Sequence, residues 1–301
     1  MTGASGFIGR AITRILLDAG YGVHAIVRPE SQHSEWLDGR AHLCRLHLHD
    51  VQGLVTALAE CEALVYCAGS VRGTSTADFV AANVAGVQSA IEAIASCDHA
   101  VDLLLISSLA ASQPNLSHYA ASKRHGENLA RGAPNRWCVL RPPAVYGPGD
   151  TEMRPLFHCI RRGVLPTFGS ANARFSLLYV DDLARGVEAW LRNRATCQQQ
   201  VFGLDDGHPG GYAWQELADA INPHGTVRLP IPRGVLRISA AANEFAARVF
   251  SYSPMLTRGK VRELCHPDWV CDNADFSAAT GWCPRVGLAD GSARMFSSEG
   301  G

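Results

Sequence analysis

Apolar strand-like runs alternate with helically spaced apolar residues from residue 1 to about residue 205. Short runs rich in Val, Ile and Leu are typical of buried strands, and the candidates are Gly22–Val27, Leu43–His47, Ala63–Cys67, Asp102–Ser107, Arg136–Leu140 and Gln200–Leu204. Apolar residues three and four apart predict helices between them, at Ile8–Ala19, Leu54–Ala59, Ala77–Ser96, Tyr119–Gly132 and Asp181–Arg194. Strict alternation predicts an α/β fold of the Rossmann type, a doubly wound parallel sheet with helices on both faces.

The alternation stops after Leu204, where residues 205–211 form a turn-rich linker. Helices are predicted beyond it at Trp214–Ile221 and Leu236–Phe250, and we interpret this region as a smaller C-terminal substrate lobe. The predicted dinucleotide-binding domain is 1–147 with 176–205, and the predicted lobe is 148–175 with 206–301. Its apolar residues suit an apolar substrate, although most of them are expected to be core; they are Val235, Leu236, Ile238, Phe245, Val249, Phe250, Met255 and Leu256.

Composition narrows the class of protein. The 301 residues are 47% hydrophobic and 18% charged, and 27 Lys and Arg balance 28 Asp and Glu, which is typical of a globular protein. From this balance we expect no basic stripe of the kind found in nucleic-acid or membrane-surface binders. No apolar run approaches the ~20 residues that span a bilayer. Ten cysteines lie singly, with no Cys-x-x-Cys pair, and the N-terminus enters a glycine-rich turn directly, so we expect reduced thiols and a cytoplasmic location.

The strongest single motif is the sequence TGASGFIG at residues 2–9. Glycines at these spacings permit a tight turn, a close backbone approach to a pyrophosphate and close helix–sheet packing, while the following helix points its positive end at the phosphates. We therefore expect a dinucleotide to lie against the turn, which comprises Gly3, Ser5, Gly6, Phe7, Ile8 and Gly9.

The choice of dinucleotide depends on a residue about twenty positions further along, where an acidic side chain would bind the ribose 2′-hydroxyl of NAD. The sequence there has Arg28 and no carboxylate. Because arginine pairs with phosphate, NADP(H) is the predicted cofactor, with NAD(H) as the alternative.

The first strand of such a fold normally has ~5 residues before the glycine turn, and only Met1 and Thr2 precede Gly3 here. That strand lies at the centre of the sheet, and its absence would leave ladder groups of its neighbours unpaired. We therefore expect a truncated first strand and a native chain that begins upstream of Met1.

A series of short motifs occurs in a characteristic order: TGASGFIG, Asp50-Val51, VYCAG at 65–69, NVAG at 83–86, ISSLA at 106–110, YAASK at 119–123, RPPAVYGP at 141–148 and YVDD at 179–182. In this order and spacing the chain resembles the extended short-chain dehydrogenase/reductase superfamily, and within it the NAD-dependent epimerase/dehydratase family. The resemblance implies that Asp50 and Val51 contact the adenine. It also implies that the cofactor is lined by Cys67, Ala68, Gly69, Pro142, Pro143 and Val145.

The predicted catalytic residues are Ser108, Tyr119 and Lys123. Tyr119 and Lys123 lie four apart on a predicted helix and so face one side. Tyrosine has a pKa near ~10, and a neighbouring ammonium is expected to lower it toward the range useful for acid–base catalysis. By resemblance, Lys123 also holds the nicotinamide ribose and Ser108, rather than Ser107, hydrogen-bonds the substrate oxygen.

Two other groups of residues are interpreted as structural. Asp182 is expected to cap a helix and Asn83 to hold backbone geometry. His42, Cys44, His47 and His49 resemble metal ligands, but an extended strand does not bring four of them together, so no metal site is predicted.

Departures from the family pattern bear on the substrate. Nucleotide-sugar epimerases and dehydratases typically place a phosphate-binding Asn where this chain has Ala144, and an Arg-Asp pair where it has Phe175-Ser176, with Arg174 one position off register. The RPPAVYGP form is more similar to the 3β-hydroxysteroid dehydrogenase and dihydroflavonol reductase branches. The first hypothesis is therefore an NADP(H)-dependent oxidoreductase that interconverts a ketone and a secondary alcohol on a hydrophobic molecule such as a 3-keto lipid or steroid-like compound. The alternatives are a nucleotide-sugar epimerase or dehydratase and, third, a non-catalytic NAD(P)-binding protein.

The resemblance also implies a homodimer formed through the segments Ala77–Ser96 and Tyr119–Gly132. Ala81, Val84, Val87 and Ile91 offer an apolar face for such a contact, which could equally pack on the sheet.

Overall fold

The computed structural model describes residues 1–31, 37, 39–250 and 252–297. Its strands are β1 His24–Val27, β2 His42–Arg45, β3 Ala63–Tyr66, β4 Asp102–Ile106, β5 Trp137–Arg141, β6 Ala144–Tyr146, β7 Val164–Phe168, β8 Arg174–Phe175, β9 Leu177–Tyr179, β10 Gln200–Gly203, β11 Tyr212–Ala213, β12 Val227–Ile231 and β13 Asp268–Trp269. Its α-helices are α1 Phe7–Asp18, α2 Val51–Leu58, α3 Thr76–Val80, α4 Gly86–Ala95, α5 His118–Arg131, α6 Arg154–Arg161, α7 Val180–Arg192, α8 Trp214–Ile221, α9 Arg233–Phe250, α10 Arg258–Leu264, α11 Ala274–Thr280 and α12 Leu288–Ser297.

The main sheet is parallel throughout and confirms the predicted Rossmann-type fold. Its order is β2, β1, Thr2, β3, β4, β5 and β10, since Thr2 bridges Ile26 of β1 on one side and Tyr66 of β3 on the other. Every residue of β4 is buried, as expected for a central strand covered on both faces.

The place of the first strand is occupied by two residues. The amide of Ile26 donates to the Met1 carbonyl oxygen at 2.8 Å, and the Thr2 amide donates to the Val65 carbonyl oxygen at 3.0 Å. Met1 and Thr2 therefore supply hydrogen-bond partners to both neighbouring strands, β1 and β3. Over these two residues the expected gap in the sheet is filled.

Two apolar layers cover the sheet. On one face α1 packs against α7, with Ile12, Leu16 and Trp190 fully buried beside the strands. On the other face α2 packs against α4, around Leu54 and Ile94. The helical spacing of apolar residues thus predicted the faces that the helices bury.

The prediction of a single helix over Ala77–Ser96 is wrong. The segment consists of α3, a π-helical turn at Ala81–Ala85 and α4. Of the four residues expected to offer an apolar face to a partner, Val87 and Ile91 are 1% and 8% exposed and belong to the core. Val84 is half-buried and Ala81 is exposed.

Residues beyond the main sheet form short sheets of their own. β7 pairs with β12, and β8 pairs with both β11 and β13. Phe276 of α11 nevertheless packs with Trp190 and Phe202 in the core of the main sheet. The division into a dinucleotide-binding domain and a substrate lobe stays a prediction.

Two structural expectations need correction. Tyr179, not Asp182, is the N-cap of α7, and the buried Asp182 carboxylate instead accepts the backbone amides of Arg285 and Val286 at 3.0 and 2.9 Å. Five of the apolar residues expected to be core are exposed, namely Val235, Ile238, Phe245, Val249 and Phe250.

Within the described ranges, no helix is both long enough and apolar enough to cross a bilayer.

Candidate active site

The glycine turn joins Thr2 to α1. Gly3 has φ +68°, and a Cβ atom there would lie 2.8 Å from the backbone nitrogen of Ala68. A Cβ on Gly9 would lie 2.0 Å from the carbonyl oxygen of Gly3, whereas one on Gly6 would meet only that oxygen, at 3.4 Å. Gly6 is also the N-cap of α1 and provides no capping side chain. The turn is therefore tight on the protein side and open at the helix N-terminus, which is the arrangement that accepts a pyrophosphate.

The end of β3 is fixed against this turn. The buried Thr2 hydroxyl oxygen accepts the amides of Cys67 and Ala68, both at 3.1 Å. Gly69 follows on the exposed side, and a Cβ there would lie 3.7 Å from Lys123 Nζ. The predicted residues Cys67, Ala68 and Gly69 thus run from the glycine turn to the predicted catalytic lysine.

The three predicted catalytic residues come together. Ser108 follows β4, and its hydroxyl hydrogen-bonds with the Tyr119 side chain. Tyr119 and Lys123 lie one turn apart on α5, whose N-cap Ser117 accepts the Ala120 amide at 2.9 Å. The ammonium of Lys123 is buried and donates to the Ile106 carbonyl oxygen at 2.8 Å.

The acid–base state of this cluster differs from the expectation. Burial raises the pKa of Tyr119 to about 12, the hydrogen bond with Ser108 opposes the rise, and the carboxylates of Glu263 and Glu152 add to it. Burial also lowers the pKa of Lys123 to about 8. The expected lowering of the Tyr119 pKa is therefore wrong for the protein without cofactor, because the cost of burying the charged phenolate outweighs the hydrogen bond that favours it. At neutral pH, Tyr119 is a phenol able to donate its proton.

Asn83 braces the catalytic helix. Its amide nitrogen donates to the Ser122 hydroxyl at 2.9 Å and to the Ser70 carbonyl oxygen at 3.0 Å, and its side-chain oxygen accepts the Ser70 amide at 3.1 Å. Asn83 lies in the π-helical turn, a distortion that is frequent at functional sites. The expected structural role of Asn83 agrees with these contacts.

A buried ion pair lies one turn beyond Lys123 and was missed by the sequence reasoning. Glu127 is fully buried, and both of its oxygens accept from Arg141, at 2.8 and 2.5 Å. The Ser107 hydroxyl donates to the same carboxylate at 2.6 Å. The spacing of Tyr119, Lys123 and Glu127, four residues each, was the available signal. The pair joins α5 to the ends of β4 and β5, beside Ser108.

The second helix of the α9–α10 pair closes over the start of α5. The Ser117 hydroxyl donates to the buried carboxylate of Glu263, and Arg262 Nε donates to the Leu116 carbonyl oxygen at 2.6 Å. A Cβ on Gly259 would lie 2.9 Å from Ser117 Cβ. α10 therefore contacts Leu116 and Ser117, three and two residues before Tyr119.

The predicted adenine end lies along β1 and β2. Arg28 directly follows β1 and is exposed. Asp50 is the N-cap of α2, and one of its carboxylate oxygens accepts the Gly53 amide at 2.9 Å, with Val51 as the first helical residue. These three residues lie apart from Ser108, Tyr119 and Lys123 in the sheet order, as an extended dinucleotide requires.

The predicted residues Pro142, Pro143 and Val145 lie between β5 and the end of β6. The Pro142 carbonyl oxygen accepts the Leu109 amide at 2.8 Å, which ties this segment to the turn after Ser108. Ala144 begins β6 opposite Leu177 and is exposed.

The histidine rings of β2 and the residues after it contact other histidine rings. His42 lies 4.6 Å from His24 between ring centroids, and His47 stacks on His49 at 5.2 Å. Among the residues that the structure describes, no three His, Cys, Asp or Glu side chains converge as metal ligands do.

Comparisons with known proteins agree with this geometry. The sequence profile of the NAD-dependent epimerase/dehydratase family matches residues 1–202. The chain belongs to this family. It is 34% identical to a ceramide reductase of Caulobacter vibrioides over 97% of this chain and 90% of the relative, and 25% identical to a 2-alkyl-3-oxoalkanoate reductase of Stenotrophomonas maltophilia over 99% and 98%.

Solved structures of the epimerase/dehydratase family share the fold. A UDP-glucuronic acid 4-epimerase from Bacillus cereus, in complex with UDP-glucuronic acid and NAD, superposes with a TM-score of 0.72 at 20% identity, covering 99% of this chain and 97% of that one. The family and its reductase relatives identify this member as an NAD(P)-dependent oxidoreductase.

Proposed function

We propose that this enzyme is an NADP(H)-dependent reductase that interconverts a ketone and a secondary alcohol on a hydrophobic substrate, a 3-keto lipid or a steroid-like molecule. The observation that carries the proposal is the cluster of Ser108, Tyr119 and Lys123 at the carboxyl end of β4, where ligands bind in open α/β sheets. The glycine turn at Gly3–Gly9 fits a dinucleotide beside it.

The three side chains would divide the work at the substrate oxygen. Tyr119, protonated at neutral pH, donates its proton to a carbonyl oxygen during reduction and takes it back during oxidation. Ser108 hydrogen-bonds that oxygen and keeps it against the phenol. Lys123 holds the ribose and favours the phenolate once the proton has left. The nicotinamide, when bound, supplies the hydride to the substrate carbon.

Ala144 and Arg174 support a substrate without a diphosphate. Alanine cannot hydrogen-bond phosphate, and Arg174 is engaged by the Gly211 carbonyl oxygen at 2.8 Å and by Glu216 at 3.4 Å. A buried diphosphate without partners is costly. The names of the two reductase relatives, ceramide reductase and 2-alkyl-3-oxoalkanoate reductase, favour long-chain oxo compounds as the substrate class.

The proposed preference for NADP(H) rests on Arg28. This arginine directly follows β1 and is exposed, so its guanidinium can pair with a 2′-phosphate at this end of the sheet. We expect kcat/KM to be at least tenfold higher with NADPH than with NADH and Arg28→Gln to remove most of that ratio. Comparable efficiency with both cofactors in the wild-type enzyme would overturn the preference.

The second candidate function is that of a nucleotide-sugar epimerase, because the chain shares its fold with a UDP-glucuronic acid 4-epimerase. An epimerase shows no net oxidation of its nicotinamide, whereas a ketoreductase consumes NADPH stoichiometrically. Incubation with NADPH and a panel of long-chain 3-oxo compounds, beside UDP-sugars, separates the two. Stoichiometric NADPH loss with the oxo compounds is expected, and sugar interconversion without NADPH loss would contradict the proposal.

We further propose that the enzyme works as a homodimer in the cytoplasm. The described cysteines are all free thiols, which suits a reducing compartment. Because Val87 and Ile91 are buried, a dimer through α4 and α5 has to use their outward residues, such as Gln88, Glu92 and His125. Light scattering tests this: a monomer at working concentration would contradict the dimer.

A further inference from the structure

Helix α9 carries an exposed apolar stripe. Val235, Ile238, Phe245 and Val249 are 52%, 73%, 69% and 58% exposed, and Phe250 at the end of the helix is 75% exposed. Their spacing of three, seven and four residues places the first four on one side of the 18-residue helix. A contiguous surface of bulky apolar residues, in contrast to scattered ones, marks an interaction site.

The other side of α9 already has its packing partners. Leu236 and Ala240 pack with Val261 and Cys265 of the α10 region. Asn243 donates to the Leu256 carbonyl oxygen at 3.0 Å, which ties the helix to the segment that follows it. The exposed stripe is therefore a second apolar face of an anchored helix.

Cationic residues outnumber carboxylates around the stripe, although Arg258 and Lys260 are paired with Glu244 and Glu263. Between residues 227 and 262 there is a single carboxylate, Glu244, and the cationic residues are Arg228, Arg233, Arg237, Arg248, Arg258, Lys260 and Arg262. The formal net charge of −1 for the whole chain conceals this local basic segment, and the expectation that the chain has no basic stripe is wrong here. Arg237 and Arg248 are exposed and lie next to the stripe on the helix.

We propose that α9 lies flat on the surface of a bilayer that carries anionic lipids, with the stripe in the acyl–headgroup boundary and the arginines on the headgroups. A basic amphipathic helix with Phe, Ile and Val on its apolar face has the composition of an interfacial helix. Arginine stems cover apolar surface while their guanidinium groups reach the headgroups.

A second copy of the chain suits this surface less well. In a two-fold symmetric contact the same patch meets itself. The arginines of one copy, Arg237 and Arg248, would then lie against those of the other. The only carboxylate between residues 227 and 262, Glu244, is already engaged by the Arg258 amide at 2.7 Å. An anionic surface matches the charge, whereas a second copy repeats it.

The position of α9 connects this surface to the chemistry. α9 packs on α10, and α10 contacts Leu116 and Ser117, which lie three and two residues before Tyr119. If the substrate is the hydrophobic ketone proposed above, it dissolves in the membrane, and docking of α9 brings the Tyr119 phenol to that membrane. This link to catalysis rests on the proposed function, whereas the contact of α9 with the membrane does not.

Vesicle sedimentation tests the proposal without any substrate. The full chain is mixed with phosphatidylcholine vesicles and with vesicles that also contain phosphatidylglycerol. We expect binding to the anionic vesicles that weakens with salt, since the arginines act through screened charge. Ile238→Ser with Phe245→Ser should weaken binding about tenfold or more for each side chain removed, as expected for buried apolar area. Arg237→Gln with Arg248→Gln should remove the preference for the anionic vesicles.

The matched control is Val71→Ser, which removes a valine of 55% exposure outside α9 and should bind as the wild type does. Equal binding by the wild type and the stripe variant, or no binding by either, overturns the proposal. Dimerisation in lipid-free sedimentation equilibrium that the stripe variant abolishes, with no vesicle binding, overturns it in favour of a self-association face. Far-UV circular dichroism confirms folding, and the single variant Phe245→Ser replaces the double one if folding is lost. If the proposed function is wrong, the enzyme will not oxidise NADPH with the 3-oxo substrates but will still bind vesicles. The two failures can therefore be told apart.

Discussion

Removal of the Glu127–Arg141 ion pair should reveal how the catalytic helix is fixed to the sheet. Glu127→Gln keeps the size of the side chain but leaves the guanidinium of Arg141, which is 18% exposed, without its counterion. Breaking one partner of a buried pair costs about 3–5 kcal/mol, and Ser107 loses its charged acceptor as well. We expect the free energy of unfolding to fall by that amount, and kcat to fall because Lys123 and Ser108 adjoin the pair.

Urea unfolding with linear extrapolation measures the loss, and a double-mutant cycle tests its origin. Arg141→Met should cost a similar amount, because the buried Glu127 carboxylate loses both guanidinium hydrogen bonds and keeps only the more distant Arg124, at 3.9 Å. Glu127→Leu with Arg141→Met removes both charges and should cost much less than the sum of the single variants, since a buried pair can be replaced by apolar side chains at little net cost. Additive losses would refute the reasoning.

Two further predictions concern Lys123 and the glycine turn. Burial lowers the pKa of Lys123 from 10.5 to about 8. The unfolded chain therefore binds a proton between these values that the folded chain has lost, and wild-type stability rises with pH in that window. Lys123→Met should stabilise the cofactor-free enzyme at pH 7 by up to about 3 kcal/mol, at about 1.4 kcal/mol per pKa unit, and the gain should vanish above the window. A pH-independent difference in thermal unfolding would contradict this. Gly9→Ala places a Cβ 2.0 Å from the Gly3 carbonyl oxygen, whereas Gly22→Ala meets nothing within 4 Å. Calorimetric titration with NADPH should show weak or no binding for the first variant and normal binding for the second; equal binding would contradict the assigned turn.

The main sheet was predictable because its signals are local. Each strand is a short apolar run and each helix repeats its apolar residues at three and four, so periodicity identifies them one at a time. The glycine turn and the pair Tyr119 and Lys123 are local in the same sense. Ser108 required a resemblance, because its proximity to Tyr119 depends on how β4 and α5 pack.

The remainder depends on contacts between distant segments. Nothing near Asp182 in the sequence indicates that it accepts the amides of Arg285 and Val286, and nothing near Ser117 indicates Glu263. The α9 stripe was misread for a related reason. Apolar spacing shows that a helix has an apolar face, but α9 has two, and only packing decides which one is covered.

The most direct test of the central claim compares the wild-type enzyme with Tyr119→Phe on a long-chain 3-oxo substrate. NADPH oxidation is followed by absorbance, and the Kd for NADPH is measured by fluorescence titration. The account predicts one NADPH consumed per ketone reduced by the wild type, and a turnover at least about 100-fold lower in Tyr119→Phe with the Kd for NADPH essentially unchanged. Undiminished turnover by Tyr119→Phe would contradict the assignment of Tyr119 as the proton donor.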